Sequence, residues 1–333
     1  MGLHPLGAPF NTFFLDRGDG VSLYVEESGA KTGEPVLALH GGPGSGMGDA
    51  RRRLFDPKRY RLIQIDQRGA GKSRPHAQLD GNTTQALIGD NEALRAHLGI
   101  DRWAVFGGSW GSTLGLAYAQ AHPEAVTHLV LTGIYLGTPE EAAWWYAPDG
   151  AQRFHPRAYA EFIEPVPEKL RGNWRDVIAW YLDAMREEDA SGAYDALPFD
   201  QPRKRVEASK ASRIVGWTVY EQVLSNFSRT REEARAKIVA LTPNYIRAHS
   251  LIEAWYFHQD CFLEPRQLLR GMPKIADIPL HILQGRLDMV CPPASAHAVY
   301  EAHPQADIRY SARHGHIPRM DMQRMIKETF DGL

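Results

Sequence analysis

Apolar runs of four to six residues recur through the first part of the chain, separated by polar, Gly-rich turns and by stretches of helical period. Val36–Leu39, Leu62–Ile65, Trp103–Phe106 and Thr127–Thr132 have the length and the β-branched or aromatic content of strands buried on both faces. Phe13–Leu15 and Val21–Glu26 flank Arg17-Gly18-Asp19-Gly20 and predict a hairpin. A helix is expected from Thr83, with Leu87, Leu94 and Leu98 on one face and Gly99 as its stop. A second runs from Trp110 to His122 and ends at Pro123. Strand–helix alternation of this kind predicts the α/β class, with a mostly parallel sheet flanked by helices. The pattern breaks at about Gly137. From there to about Gly271 the period is helical and convincing strands are absent, and six of the eight tryptophans fall in this block. Strand patterns resume at Leu280–Gly285 and Asp307–Tyr310. Residues 1–137 and 272–333 are therefore expected to form one core, with 138–271 inserted as a helical cap over the carboxyl edge of the sheet, where open α/β sheets bind ligands.

Composition narrows the function classes. The 333 residues carry 38 basic and 40 acidic side chains, a formal charge of -2, which gives no electrostatic reason to expect nucleic acid or an anionic membrane as partner. Hydrophobic residues at 43% and charged residues at 23% are ordinary for a globular protein. Met1–Pro5 lacks a basic segment followed by an apolar one, and no apolar run approaches a membrane span. Two cysteines, Cys261 and Cys291, cannot build a disulfide framework and fit a reducing compartment. The expectation is a cytoplasmic protein. Oligomeric state is not legible from these properties.

The chemistry concentrates at Gly107-Gly108-Ser109-Trp110-Gly111, a G-x-S-x-G between a predicted strand and a predicted helix. Small residues there let the chain reverse sharply and leave the serine hydroxyl exposed at the tip of the turn. A serine needs a base to take its proton, and the base needs a group to orient it. In this kind of sheet the expected chain order is Ser, then Asp or Glu, then His. Asp288 follows the strand Leu280–Leu283, and His316 follows the strand Asp307–Tyr310. His314 lies two residues from His316 in the same loop and is a rival for the base. An oxyanion needs two backbone N–H groups. One is expected from Trp110, and the other from Gly42 in His40-Gly41-Gly42-Pro43-Gly44, which follows the strand Val36–Leu39. No H-E-x-x-H or paired Cys-x-x-Cys is present to suggest a metal.

These segments, together with Asp66-Gln67-Arg68-Gly69-Ala70-Gly71-Lys72-Ser73, Arg74-Pro75-His76, Asn82-Thr83-Thr84 and Gly285–Pro292, resemble in kind and in order the proline iminopeptidases of the α/β-hydrolase superfamily. The resemblance covers most of the chain. It implies an α/β-hydrolase fold and a serine exopeptidase, without cofactor, that releases N-terminal proline from small peptides through an acyl-enzyme. Ser109, Asp288 and His316 would be its triad. Glu221 in Trp217–Glu221 and Glu253 in Leu251–Phe257 would bind the free amino group, and Tyr135, Trp145, Phe257 and Cys291 would wall the proline pocket. Removing an ammonium from water calls for nearby carboxylates, and a proline ring offers only CH₂ groups to an aromatic wall. The chain departs from the family pattern in four places. His316 is followed by Ile317-Pro318-Arg319 rather than by Ser and then an acid, Tyr220 stands where Trp is common, Ala254-Trp255 follow the second glutamate, and Trp145 stands where Tyr is usual. The competing expectation keeps the triad but makes the enzyme an esterase or amidase on small uncharged acyl substrates, which have no use for paired glutamates.

Overall fold

The computed structural model describes residues 2–201, 204, 210–226, 233, 241–317 and 320–333, and in it eight strands form one sheet. They are β1 (Asn11–Asp16), β2 (Ser22–Gly29), β3 (Glu34–Leu39), β4 (Tyr60–Ile65), β5 (Trp103–Ser109), β6 (Val126–Ile134), β7 (Leu280–Gly285) and β8 (Asp307–Ser311), in the spatial order β1-β2-β4-β3-β5-β6-β7-β8. The hairpin β1–β2 and the β2–β4 pair are antiparallel; every later pairing is parallel. Each strand of the apolar pattern is present, and all but β7 are longer by one to three residues than the run that announced them.

Alternation along the central strands divides the core. Leu37 and Leu39 of β3, with Val105 of β5, face helices α1 (Thr84–His97) and α2 (Trp110–Ala121). Val36, Ala38 and Phe106 face the other way, toward Leu54, Phe55 and Phe330. The helix start is set as expected: the Thr83 hydroxyl accepts from Ala86 N–H at 3.1 Å, an N-cap, and Gly99 sits at φ +63 beyond the last turn. The helix Met320–Gly332 at the chain end, which brings Phe330, was not anticipated.

Between β6 and β7 the described residues hold helices and no strand: α3 (Pro139–Tyr146), α4 (Pro156–Ile163), α5 (Trp174–Ala190), α6 (Arg213–Ser225), α7 (Pro243–His258) and the short α8 (Gln267–Arg270). The helix α9 (Pro293–Ala302) follows β7, and the terminal Met320–Gly332 is α10. Polar side chains fasten this block to the sheet. Tyr256 Oη donates to Asn82 Oδ1 at 2.9 Å, Trp255 Nε1 donates to Asn82 O at 3.1 Å, and Asn82 Nδ2 donates in turn to Arg68 O at 2.9 Å. Trp144 and Trp145 donate their indole N–H groups to Met289 O and Val290 O at 2.8 and 2.7 Å, just past the end of β7. Among the described residues no helix is long and apolar enough to cross a membrane.

Candidate active site

Ser109 ends β5 and opens onto α2 at φ +58, ψ -128, a backbone conformation that side chains other than glycine seldom adopt. The glycines around it answer to close approach. A Cβ on Gly107 would lie 2.1 Å from Gly111 O, and one on Gly111 would lie 2.6 Å from Leu39 O. We expect Gly107→Ala to destabilise the fold by about 1–3 kcal/mol or more, because the atoms its Cβ would meet, Gly111 O and C, are backbone and cannot rotate away. A urea melt checks this, and an unchanged midpoint would refute it.

Asp288 and His316 reach the serine from beyond the ends of β7 and β8, with β6 between these strands and β5. The loops that carry them are tied together by Leu287 N–H to His314 O at 2.9 Å and Arg286 N–H to Ser311 O at 2.9 Å. His316 Nδ1 lies 3.1 and 3.0 Å from the two Asp288 oxygens, and its Nε2 lies 3.1 Å from Ser109 Oγ. Asp288 Oδ1 also accepts from the N–H groups of Val290 and Cys291 at 3.0 and 2.8 Å, which fixes the carboxylate in the turn. The tautomer that satisfies this arrangement has Nδ1–H donating to Asp288 and a bare Nε2 accepting from the serine hydroxyl. Burial alone would lower the His316 pKa, but the charge of the adjacent Asp288 carboxylate, then the Cys291 sulfur and the Asp288 hydrogen bond, outweigh it and hold the imidazole well above its ordinary value. His314 points elsewhere: its Nδ1 is 2.6 Å from Ser311 Oγ. Pro318 and Arg319, beyond His316, lie outside the described residues.

The Gly-rich loop passes over the serine, where a Cβ on Gly41 would sit 3.9 Å from Ser109 Oγ. Gly42, at φ +104, shares the cavity wall with Ser109. Trp110 begins α2, and the first N–H groups of a helix have no partner within it. Gln67 braces both parts. Its side-chain N–H donates to His40 O at 3.0 Å, its Oε1 accepts from the Trp110 indole at 2.9 Å, and its backbone N–H donates to His40 Nε2 at 3.0 Å. Burial pushes the His40 pKa down to about 3, so its ring stays neutral, with Nδ1–H donating to Gly41 O at 2.9 Å. The Asp66–Ser73 segment thus has a physical role that the sequence pattern did not disclose.

A cavity of about 410 Å³ contains Ser109, His316, Gly41 and Gly42 on one side and Glu221, His249 and Glu253 on the other. Glu221 comes from α6 and Glu253 from α7. Glu253 is 5% exposed and accepts from the Trp217 indole at 2.7 Å. Burial, and then repulsion from Glu221, push its carboxyl up to about 7, although His249 pulls the other way. Glu221 accepts from Ser225 Oγ and from Gln222 Nε2. His249, one helical turn before Glu253, lies between them, with Nδ1 3.6 Å from Glu253 and Nε2 4.0 Å from Glu221. These three residues offer ligand atoms within 4.8 Å of one another, a spacing a cation could bridge. Local motifs such as H-E-x-x-H cannot reveal a grouping assembled from two helices. The His249/Glu253 spacing of four was the available signal, and it was not singled out.

Of the four residues expected around a proline ring, Trp145 and Phe257 line the cavity and Tyr135 and Cys291 do not. Tyr135 is withdrawn behind them, with its ring centroid 5.1 Å from Trp145 and 6.0 Å from Phe257 and its hydroxyl 3.3 Å from Cys261 Sγ. Cys291 is fully buried beside Asp288, and burial raises its thiol to about 11, so it stays neutral. The aromatic wall is supplied instead by Trp145, Tyr146 and Phe257, with Tyr245 against His249 at 5.4 Å between ring centroids.

Family comparison agrees with this architecture. A model of the α/β-hydrolase fold family matches residues 34–313, and the protein is an α/β hydrolase. Proteins named proline iminopeptidase from Xanthomonas citri and Xylella fastidiosa are 41% and 39% identical to it over 317 and 315 residues, each match covering 94% of this chain and 93% of the relative. The chain belongs to the proline iminopeptidase family of hydrolases. A solved esterase from Exiguobacterium antarcticum aligns with a TM-score of 0.62 at 20% identity, covering 96% of this chain and 97% of its own, and speaks for the fold alone.

Proposed function

We propose that the protein is a serine exopeptidase that releases N-terminal proline from short peptides. The observation that carries this reading is one cavity holding both a serine–imidazole pair and two partly or wholly buried glutamates. An acyl group without charge has no need of those carboxylates, whereas an ammonium stripped of water does. The N-terminal amine binds between Glu221 and Glu253, and its ring lies against Trp145 and Phe257. The helical block 138–271 acts as the cap that brings these groups over the sheet. Ser109 Oγ attacks the prolyl carbonyl while His316 Nε2 takes its proton, and Asp288 holds the imidazole and balances the imidazolium. The N–H groups of Gly42 and Trp110 receive the oxyanion. His316 then protonates the leaving amine, and a water deacylates Ser109 by the same route.

The test compares prolyl-p-nitroanilide, its N-acetyl derivative and p-nitrophenyl butyrate, for wild type and Glu253→Gln. We expect rapid hydrolysis of the free prolyl substrate, loss on acetylation, and a fall of roughly 10- to 100-fold in kcat/KM in the variant, the scale of one lost charge-assisted contact. Fast butyrate hydrolysis, with no preference for the free amine and no effect of the variant, would leave an esterase in its place.

A further inference from the structure

The cavity has a second charged wall that the amine site and the triad leave unused. Beyond Gly41 and Gly42 it continues past Gly46 and Ala50 to Arg51, Leu54 and Phe106, and to Met322 and Ile326 of α10. Arg51 stands in a run of three arginines whose surroundings differ. Arg52 bonds to Glu26 and Asp49, and Arg53 donates to His4 O from an exposed position. Arg51 has no carboxylate within 4.0 Å among the described residues. One edge of its guanidinium is held by Leu39 O at 3.1 Å and by Met47 Sδ at 3.8 Å, and its centre lies 5.9 Å from the Phe106 ring.

Arg51 is half-buried, and a guanidinium drawn partly out of water without a counter-charge carries a cost that proteins normally offset by pairing it. Burial without compensation pulls the Arg51 pKa down to about 10, which still leaves it cationic at neutral pH. Its anchoring bonds are to neutral atoms, so they fix its position without cancelling its charge. The remaining N–H groups form a fork suited to a planar carboxylate. Leu39 O, which Arg51 grips, is the same atom a Cβ on Gly111 would approach at 2.6 Å, so the guanidinium and the Ser109 elbow share the end of β3, and both line the cavity.

We propose that Arg51 binds the C-terminal carboxylate of the peptide, making the enzyme selective for prolyl dipeptides and tripeptides over longer chains. This rests on the prolyl exopeptidase reading above and adds the other end of the substrate to it. One cavity then has carboxylates for the amino terminus, Ser109 for the scissile bond and a guanidinium for the carboxyl terminus.

The experiment compares kcat/KM for Pro-Ala and for Pro-Ala-amide, with prolyl-p-nitroanilide as reference, in wild type, Arg51→Gln and Arg51→Lys. The amide keeps the shape and removes the charge. It also leaves as the less basic amine, so leaving-group chemistry alone favours it. We expect the free acid to be preferred roughly 10- to 100-fold, mostly through KM, the scale of one charge-assisted contact. That preference should collapse toward one in Arg51→Gln and be partly kept in Arg51→Lys, with melting curves confirming that both variants fold. Equal rates for acid and amide in the wild type would overturn the proposal. So would a preference that persists in folded Arg51→Gln. The wild-type ratio needs no variant, so it decides even if Arg51→Gln fails to fold. Absence of all prolyl hydrolysis, including that of the p-nitroanilide, would instead bring down the parent reading, and this one with it.

Discussion

Ser109→Ala will lower kcat on prolyl-p-nitroanilide by roughly 10⁴- to 10⁶-fold, the range seen when a triad nucleophile is removed and only binding and oxyanion stabilisation remain. The reason is local. The Ser109 hydroxyl faces His316 Nε2 at 3.1 Å, within reach of direct proton transfer. His316→Ala should cost about as much by itself, and the double variant hardly more than either alone, because the two groups act as one unit. The folded state should be unaffected by the serine change, since the removed oxygen is on the cavity wall. Steady-state rates of the three variants settle the point. Losses that multiply in the double variant would mean that serine and histidine act independently, and the acyl-enzyme scheme would fall.

Asp288→Asn is expected to cost on the order of 10⁴ in kcat, because an amide can present its N–H to the imidazole and stabilise the wrong tautomer. It carries a second signature in pH. The Asp288 carboxylate holds the His316 pKa well above that of a free imidazole. The neutral ring is the active form, so wild-type kcat/KM should be high above that raised pKa and fall as the pH drops through it. Without the carboxylate the imidazolium loses its partner. Burial then dominates, and the acid limb of the residual activity should move to lower pH. A limb that stays in place, measured in buffers of constant ionic strength, would show that another group sets it.

How far the sequence could be read depended on whether a feature was local. Ser109, Asp288 and His316 were legible because each follows a strand whose apolar run is unmistakable, and a parallel sheet brings the carboxyl ends of its strands to one edge. His314 and His316 could not be separated by pattern, since both lie in one short loop. What distinguishes them is the path of a turn that sends one ring to Ser311 and the other to Asp288. The aromatic wall was half legible for a similar reason. Trp145 and Tyr135 are in tilted ring contact, and only packing decides which of two touching rings faces the cavity. Arg51 was invisible because its significance is a missing partner, and a sequence records neighbours along the chain, not absences in space. His249 was within reach, four residues before Glu253 on a helix, but its meaning depends on Glu221 arriving from α6.

Val290 joins the helical block to the turn that carries Asp288. Its N–H holds Asp288 Oδ1, and its carbonyl receives the Trp145 indole from the helical block. One peptide unit away, Met289 O receives Trp144. Under the proposed function the block therefore braces the turn that carries the triad acid as well as roofing the substrate. Grafting a different helical block onto this sheet, in order to exchange one specificity for another, would have to carry the 288–291 turn along with it. The heritable module is the block together with that turn, and a crossover placed between them would separate the new specificity from a working acid.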